Sequence, residues 1–175
     1  MISRRRYDLV LAIYPNTRGF AFVLFEGPLA PVDWAVVEVR GKDRMRQCLR
    51  RISVLLGRYA PDALVLQDMS AADTHRARRI QNLNEAIEAL AGSQDIPTFR
   101  YSRASVREHF RNAGLPTKQR IAESIAKQIP AFERFVPPPR KIWKSEDARM
   151  GLFDAAALGI LHFARSGDRI PHEPG

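Results

Sequence analysis

The strongest constraint on the fold lies before Lys42. Three apolar runs, roughly Tyr7–Tyr14, Gly19–Glu26 and Val32–Arg40, follow one another across links too short to hold a helix. They are rich in Val, Leu, Ile and Phe, which suit a pleated, half-buried surface. The first link, PNTR, is built of turn formers and the second, GPLAP, reads as a loop, so an antiparallel meander is expected. After it the apolar period changes. From Lys42 to Tyr59, Met45, Cys48, Leu49, Ile52, Leu55 and Leu56 recur at helical spacing, with arginines on the opposite face. DALVLQDM is a short, nearly continuous apolar run, as expected of a strand buried on both faces.

The rest alternates helix and strand and then turns helical. A helix is expected over His75–Ala91, with Ile80, Leu83, Ile87 and Leu90 on one face, and IPTFRYS reads as a fifth strand. SRASVREHFRNAG starts a helix capped by Ser102 or Ser105 and ending at Gly114, and Thr117 caps the next, TKQRIAESIAKQI. The prolines of VPPPRKIWK exclude helix and ladder there. The last helix is expected from Ser145 to about Arg165, with Glu146 and Asp147 in its first turn, where the helix dipole favours acids. The order is βββ-α-β-α-β-α-α-α. It predicts an α/β chain with a mixed five-stranded sheet, three antiparallel strands and then parallel ones, flanked by helices.

At 175 residues the chain is expected to form a single domain over 1–167, with SGDRIPHEPG, 168–175, as a loose tail. No apolar run approaches the ~20 residues that span a bilayer. The start, MISRRRYDLVLAIY, carries positive charge before an apolar run, but Asp8 interrupts it and no small-residue cleavage site follows. It reads as a strand with a basic leader, and the expectation is a cytoplasmic chain without a membrane partner. The lone Cys48 cannot form an internal disulfide and fits a reducing compartment. The net charge of +9, from 28 Lys and Arg against 19 Asp and Glu, points to a polyanionic partner. Arginine, with its bidentate fork, suits phosphate. There is no GxSxG, P-loop or GxGxxG, and His75, His109, His162 and His172 stand at no metal-ligand spacing.

Four segments carry a family resemblance. IYPNTRGFAFVLFEG resembles the first hairpin of RuvC-type Holliday-junction resolvases, and PDALVLQDM resembles their central strand. GLPTKQRIAESIAKQI is similar to their lysine-bearing helical region, and FDAAALGILHF to the C-terminal helix that presents the last catalytic aspartate. The resemblance runs from about Leu9 to Phe163 and implies a ribonuclease H-like fold, whose strand order matches that read above. It also implies DNA as partner, branched DNA above all, a homodimer, and two-metal phosphodiester hydrolysis with Mg²⁺ or Mn²⁺. Such ions need several hard, anionic oxygen ligands.

Carried over residue by residue, the resemblance departs at the centre. The first-strand aspartate falls on Tyr14, the central-strand glutamate on Gln67, and the acid one turn before the last aspartate on Gly151. Only Asp154 matches. A phenol, with a reference pKa near ~10, is neutral at pH 7, and an amide brings one oxygen and no charge. Two central anions are therefore missing, and no tight two-metal site is expected. Asp68, Asp147 and Glu146, with Asp154, are the acids that could rebuild a weaker one. Asp147 lies seven residues before Asp154, on the same face of the expected helix. Equally, Glu146 and Asp147 could serve as helix-capping acids, and Asp68 as a strand-end turn residue.

Basic clusters supply the other candidates. Arg76, Arg78, Arg79, Lys118, Arg140, Lys141 and Lys144 are placed for phosphate contacts, with Trp143 able to stack on an exposed base. The alternative for each cluster is a solvated helix face, and for Arg4–Arg6 a solubilising leader. Trp34 reads as sheet-face packing. Three functions follow, in order of preference: a RuvC-like binder of branched DNA with a degraded nuclease centre, an active endonuclease using relocated acids, or a scaffold for protein partners.

Overall fold

The computed structural model describes residues 8–70, 78–111 and 117–167. Three strands, β1 (Val10–Asn16), β2 (Gly19–Phe25) and β3 (Pro31–Glu38), form the antiparallel meander. Helix α1 (Arg44–Tyr59) leads to β4 (Ala63–Gln67), and α2 (Arg78–Ser93) to β5 (Thr98–Tyr101). Three helices follow: α3 (Arg103–His109), α4 (Lys118–Gln128) and α5 (Met150–Gly167), with a 3-10 helix at Pro130–Phe135 after α4. The sheet order is β3-β2-β1-β4-β5, with β4 parallel to both β1 and β5. This is the expected mixed sheet.

The period-two alternation of β1 divides the core. Val10, Ala12 and Tyr14 belong to a cluster with Phe132, Ile125 and the apolar face of α5. Leu11 and Ile13 belong to the other, with Ile52 and Leu56 of α1 and Leu83 and Ile87 of α2. β1 and β4 are covered on both sides, which explains their unbroken apolar runs. At the edge, β3 is only partly buried, begins with a proline that needs no ladder donor, and turns Trp34 edge-on against Phe132 at 5.1 Å.

The β1–β2 turn is closed by Asn16, whose Oδ1 accepts from the backbone N–H of Arg18 and of Gly19, each at 2.9 Å. At Gly19 a Cβ would stand 2.1 Å from the Val37 carbonyl oxygen, so this position admits no side chain. Ser102 caps α3 by accepting from Ser105 N–H at 3.1 Å, and Thr117 caps α4 by accepting from Arg120 N–H at 3.2 Å. Cys48 is buried in α1, where burial pushes its thiol pKa up. Met45, expected on that helix's apolar face, is instead exposed.

The last helix starts later than the sequence leads one to expect. Asp147 precedes α5, and its Oδ1 accepts from the backbone N–H of Arg149 at 2.9 Å. The Arg149 guanidinium also donates to both carboxylate oxygens, at 3.0 and 2.7 Å. A side chain that captures a nearby N–H competes with the helix, and the backbone here makes three-residue turns before α5 settles. The seven-residue argument placing Asp147 on the face of Asp154 therefore fails, because no continuous helix joins them. Arg4–Arg6, His75, Arg76, Gly114 and the expected tail, 168–175, lie outside the described residues.

Two stability experiments follow from this packing. Gly159 and Gly57 are both helical, yet a Cβ at Gly159 would lie 2.4 Å from the buried ring of Phe25, whereas one at Gly57 meets nothing. In urea unfolding, Gly159→Ala should lower stability by about 1–3 kcal/mol through overpacking. Gly57→Ala should raise it by about 0.5–1 kcal/mol through helix propensity. Separately, the Arg149 hydrogen bonds hold Asp147 below the usual carboxylate range. A carboxyl depressed in the folded state stabilises above its unfolded pKa and loses that contribution as pH falls through its folded one. The pair is part-exposed, so the effect should be small. The stability gap between wild type and Asp147→Asn should narrow as pH drops below ~4, measured by urea midpoints across pH.

Candidate nucleic-acid interface at the paired strand ends

β1 and β4 run side by side in parallel, with Val10 opposite Ala63 and Ala12 opposite Val65. Continued by one pleat, that register sets Gln67 beside Tyr14 on the face that α5 covers. Both side chains are buried, and both line one pocket with Arg103, Arg107, Lys118 and Asp154. The three sequence positions Tyr14, Gln67 and Asp154 thus meet in space, although they lie on β1, β4 and α5.

Lys118, the first residue of α4, organises the charge. Its Nζ is 2.9 Å from Glu146 Oε1, 3.5 Å from Asp154 Oδ2, and 5.7 Å from the centroid of the Tyr14 ring. Asp154 is the more buried acid, with a side chain 15% exposed, while Glu146 lies at the rim at 44%. The cap at Thr117 fixes this geometry by starting α4 where its first side chain can reach α5. Sequence reading placed Lys118 among phosphate contacts and missed its ion pairs, since nothing local links residues 118, 146 and 154.

Gly151, where the resemblance implies an acid, sits at a close contact between α5 and the first hairpin. A Cβ there would come within 3.3 Å of both the Ala21 Cβ and Asn16 Nδ2. The glycine lets α5 lie close on β1 and β2, and Asn16 is itself held by the turn it closes. A side chain at 151 would need these neighbours to give by a few tenths of an ångström. Asp68 follows β4, and its Oδ1 accepts from the Ser70 backbone N–H at 3.0 Å and from its hydroxyl at 2.5 Å. Those bonds hold its carboxyl below the ordinary range, and it does not line the pocket. Glu146, Asp147 and Asp154 border an adjoining hollow with Asn16, Arg18 and Gly151. Asp147 there is engaged by Arg149, with Arg18 adding to the depression of its pKa.

The donor set does not fit paired divalent cations. The pocket offers one carboxylate, with an ammonium beside it and two guanidinium groups in the lining. Magnesium sites gather anionic oxygens, and here the surrounding charge is positive. Among the described residues, no three His, Cys, Asp or Glu side chains are grouped to hold a metal ion.

The outer basic residues are spread more widely. Arg78 and Arg79 start α2 and are exposed, as are Arg140, Lys141 and Lys144 in the proline-bearing segment before α5. In that segment Ile142 and Trp143 are 94% and 78% exposed, and Lys141 Nζ lies 5.7 Å from the Trp143 ring centroid. His162 is buried, with Nδ1 2.7 Å from the Tyr101 hydroxyl. No described helix is long and apolar enough to cross a membrane.

No family model matches the sequence. The chain is 27% identical over 164 residues to a crossover junction endodeoxyribonuclease RuvC of Chlamydia muridarum, covering 89% of this chain and 91% of that one. It is 27% identical over 161 residues to the RuvC of Trichlorobacter lovleyi, covering 87% and 83%. In structure it is similar to T. thermophilus RuvC in complex with a Holliday junction substrate, with a TM-score of 0.68 and 18% identity over 92% of this chain and 97% of that one. Over nearly its whole length the chain is thus similar in sequence to RuvC resolvases, and its strand order and structural likeness give it the ribonuclease H-like fold.

Proposed function

We propose that this protein binds branched or structured DNA through a RuvC-like scaffold whose nuclease centre no longer assembles two divalent ions. The observation that carries the reading is the trio at the strand ends. Tyr14 and Gln67 stand where acids are needed, and the ammonium of Lys118 lies 3.5 Å from the remaining carboxylate. Likeness to named crossover-junction endonucleases, and to a RuvC solved with a Holliday junction, supports DNA as the partner. So does the net charge of +9.

In this reading Arg78, Arg79, Arg140, Lys141 and Lys144 contact phosphates, and Trp143, exposed among three of those cations, stacks on an unpaired base. A homodimer would present two such surfaces to the arms of a symmetric junction. A second reading, an endonuclease with relocated ligands, is favoured by one observation: Glu146, Asp147 and Asp154 border a common hollow. It requires Mg²⁺ or Mn²⁺ to displace Arg149 from Asp147 and Lys118 from the other two acids.

The two readings separate on a labelled four-way DNA junction. The protein should bind it with an affinity that falls steeply with salt, by about 0.9 log unit per tenfold salt for each phosphate neutralised. It should leave the strands intact in Mg²⁺ and in Mn²⁺. Junction cleavage that requires either ion and disappears in Asp154→Asn would establish the endonuclease instead. Affinity indifferent to salt would favour a scaffold for protein partners.

A further inference from the structure

We infer that the pocket at the paired strand ends is an anion site, which seats a nucleic-acid phosphate directly on Lys118, Arg103 and Arg107 without a bridging metal. The inference rests on the DNA-binding reading above and specifies what the former metal position does within it.

The residue types argue for a reversal of sign. Carboxylates only accept hydrogen bonds, so a centre built of them attracts cations and reaches a phosphate through metal ions. Tyr and Gln each bring donors, a phenolic O–H and an amide NH₂. With these two at positions 14 and 67, the strand ends carry no negative charge to repel a phosphate. The lining then counts three cations, Arg103, Arg107 and Lys118, against Asp154 alone. A divalent cation entering here meets like charge, whereas a phosphodiester meets opposite charge.

The ion pairs give the mechanism an order. Lys118 is 25% exposed at the pocket and bridges Asp154 inside to Glu146 at the rim. The rim pair with Glu146 is the solvated one, and exposed pairs of this kind contribute little. A phosphate approaching from outside therefore takes the place of Glu146 on the ammonium, while Asp154 keeps Lys118 aimed across the Tyr14 ring. Glu146 acts as a competing anion. As a metal ligand it would have the opposite effect, and the two roles give opposite signs on mutation.

The test is binding of a labelled four-way DNA junction, titrated against salt, in EDTA and in Mg²⁺. Wild type should bind in EDTA, and Mg²⁺ should bring no gain in affinity. Lys118→Gln should weaken binding about tenfold or more, as expected for a lost charge-assisted hydrogen bond, and should flatten the salt slope by about one. The double variant Arg103→Gln with Arg107→Gln should weaken it similarly, and Lys118→Arg should retain most of it. Glu146→Gln should tighten binding several-fold at low salt. If wild type binds but the Lys118 and arginine variants match it in affinity and slope, the pocket assignment is wrong while the DNA reading stands on the outer basic residues. Binding abolished by EDTA, or weakened by Glu146→Gln, also overturns the assignment in favour of a metal site. A wild-type protein with no salt-sensitive affinity removes both readings together.

Discussion

The pairing of β1 along both edges is the constraint on which the rest of this structure depends. β2 is hydrogen-bonded antiparallel on one side and β4 parallel on the other, and helices cover both faces. A strand so enclosed cannot slip by one residue, because every side chain would change face. The enclosure fixes Tyr14 as the last buried residue of β1 on the face under α5, beside Gln67. What the site can do is then decided by the charge of a few residues brought to that corner.

In the proposed reading, that charge is where this chain departs from a metal-dependent nuclease. A two-metal centre must offset the mutual repulsion of its ions with clustered anions. Here a buried phenol and an amide occupy the ends of the two central strands, and an ammonium from α4 closes the gap to the last aspartate. The change reaches beyond the ligands themselves. Gly151 has let α5 pack against Ala21 and Asn16, so a side chain there would crowd the Ala21 methyl and the Asn16 amide. Arg149 has drawn Asp147 into a turn ahead of the helix. Each of these residues is engaged by its neighbours, so the corner carries mixed charge rather than clustered carboxylates.

Much of this was legible from residue order. The meander, the central strand DALVLQ and the caps at Ser102 and Thr117 rest on local chemistry, in apolar period and in side chains that meet their own backbone. The helix boundary at Met150 was not, because an acid near a helix start can serve either as a first-turn residue or as a turn former ahead of it. Arg149, two residues further on, tipped that choice. The link from Lys118 to Glu146 and Asp154 was also hidden, since it depends on how α4 lies across α5. The exposure of Met45 on α1 likewise depends on where the neighbouring elements end.

By itself, the sequence determined the strand order, the two-faced character of the sheet, the excess of positive charge and the loss of acids at positions 14, 67 and 151. The first three follow from composition and periodicity along the chain, and the last is what the resemblance to RuvC-type resolvases implies. Only the tertiary structure decided that the altered positions converge, that a lysine joins them, and that Asp68 and Asp147 are engaged by Ser70 and Arg149. The physical reason is range. Periodicity and capping act over one turn or one pleat, whereas a site's charge is summed over side chains that only the packing of α4 and α5 on the sheet brings within a few ångströms of one another.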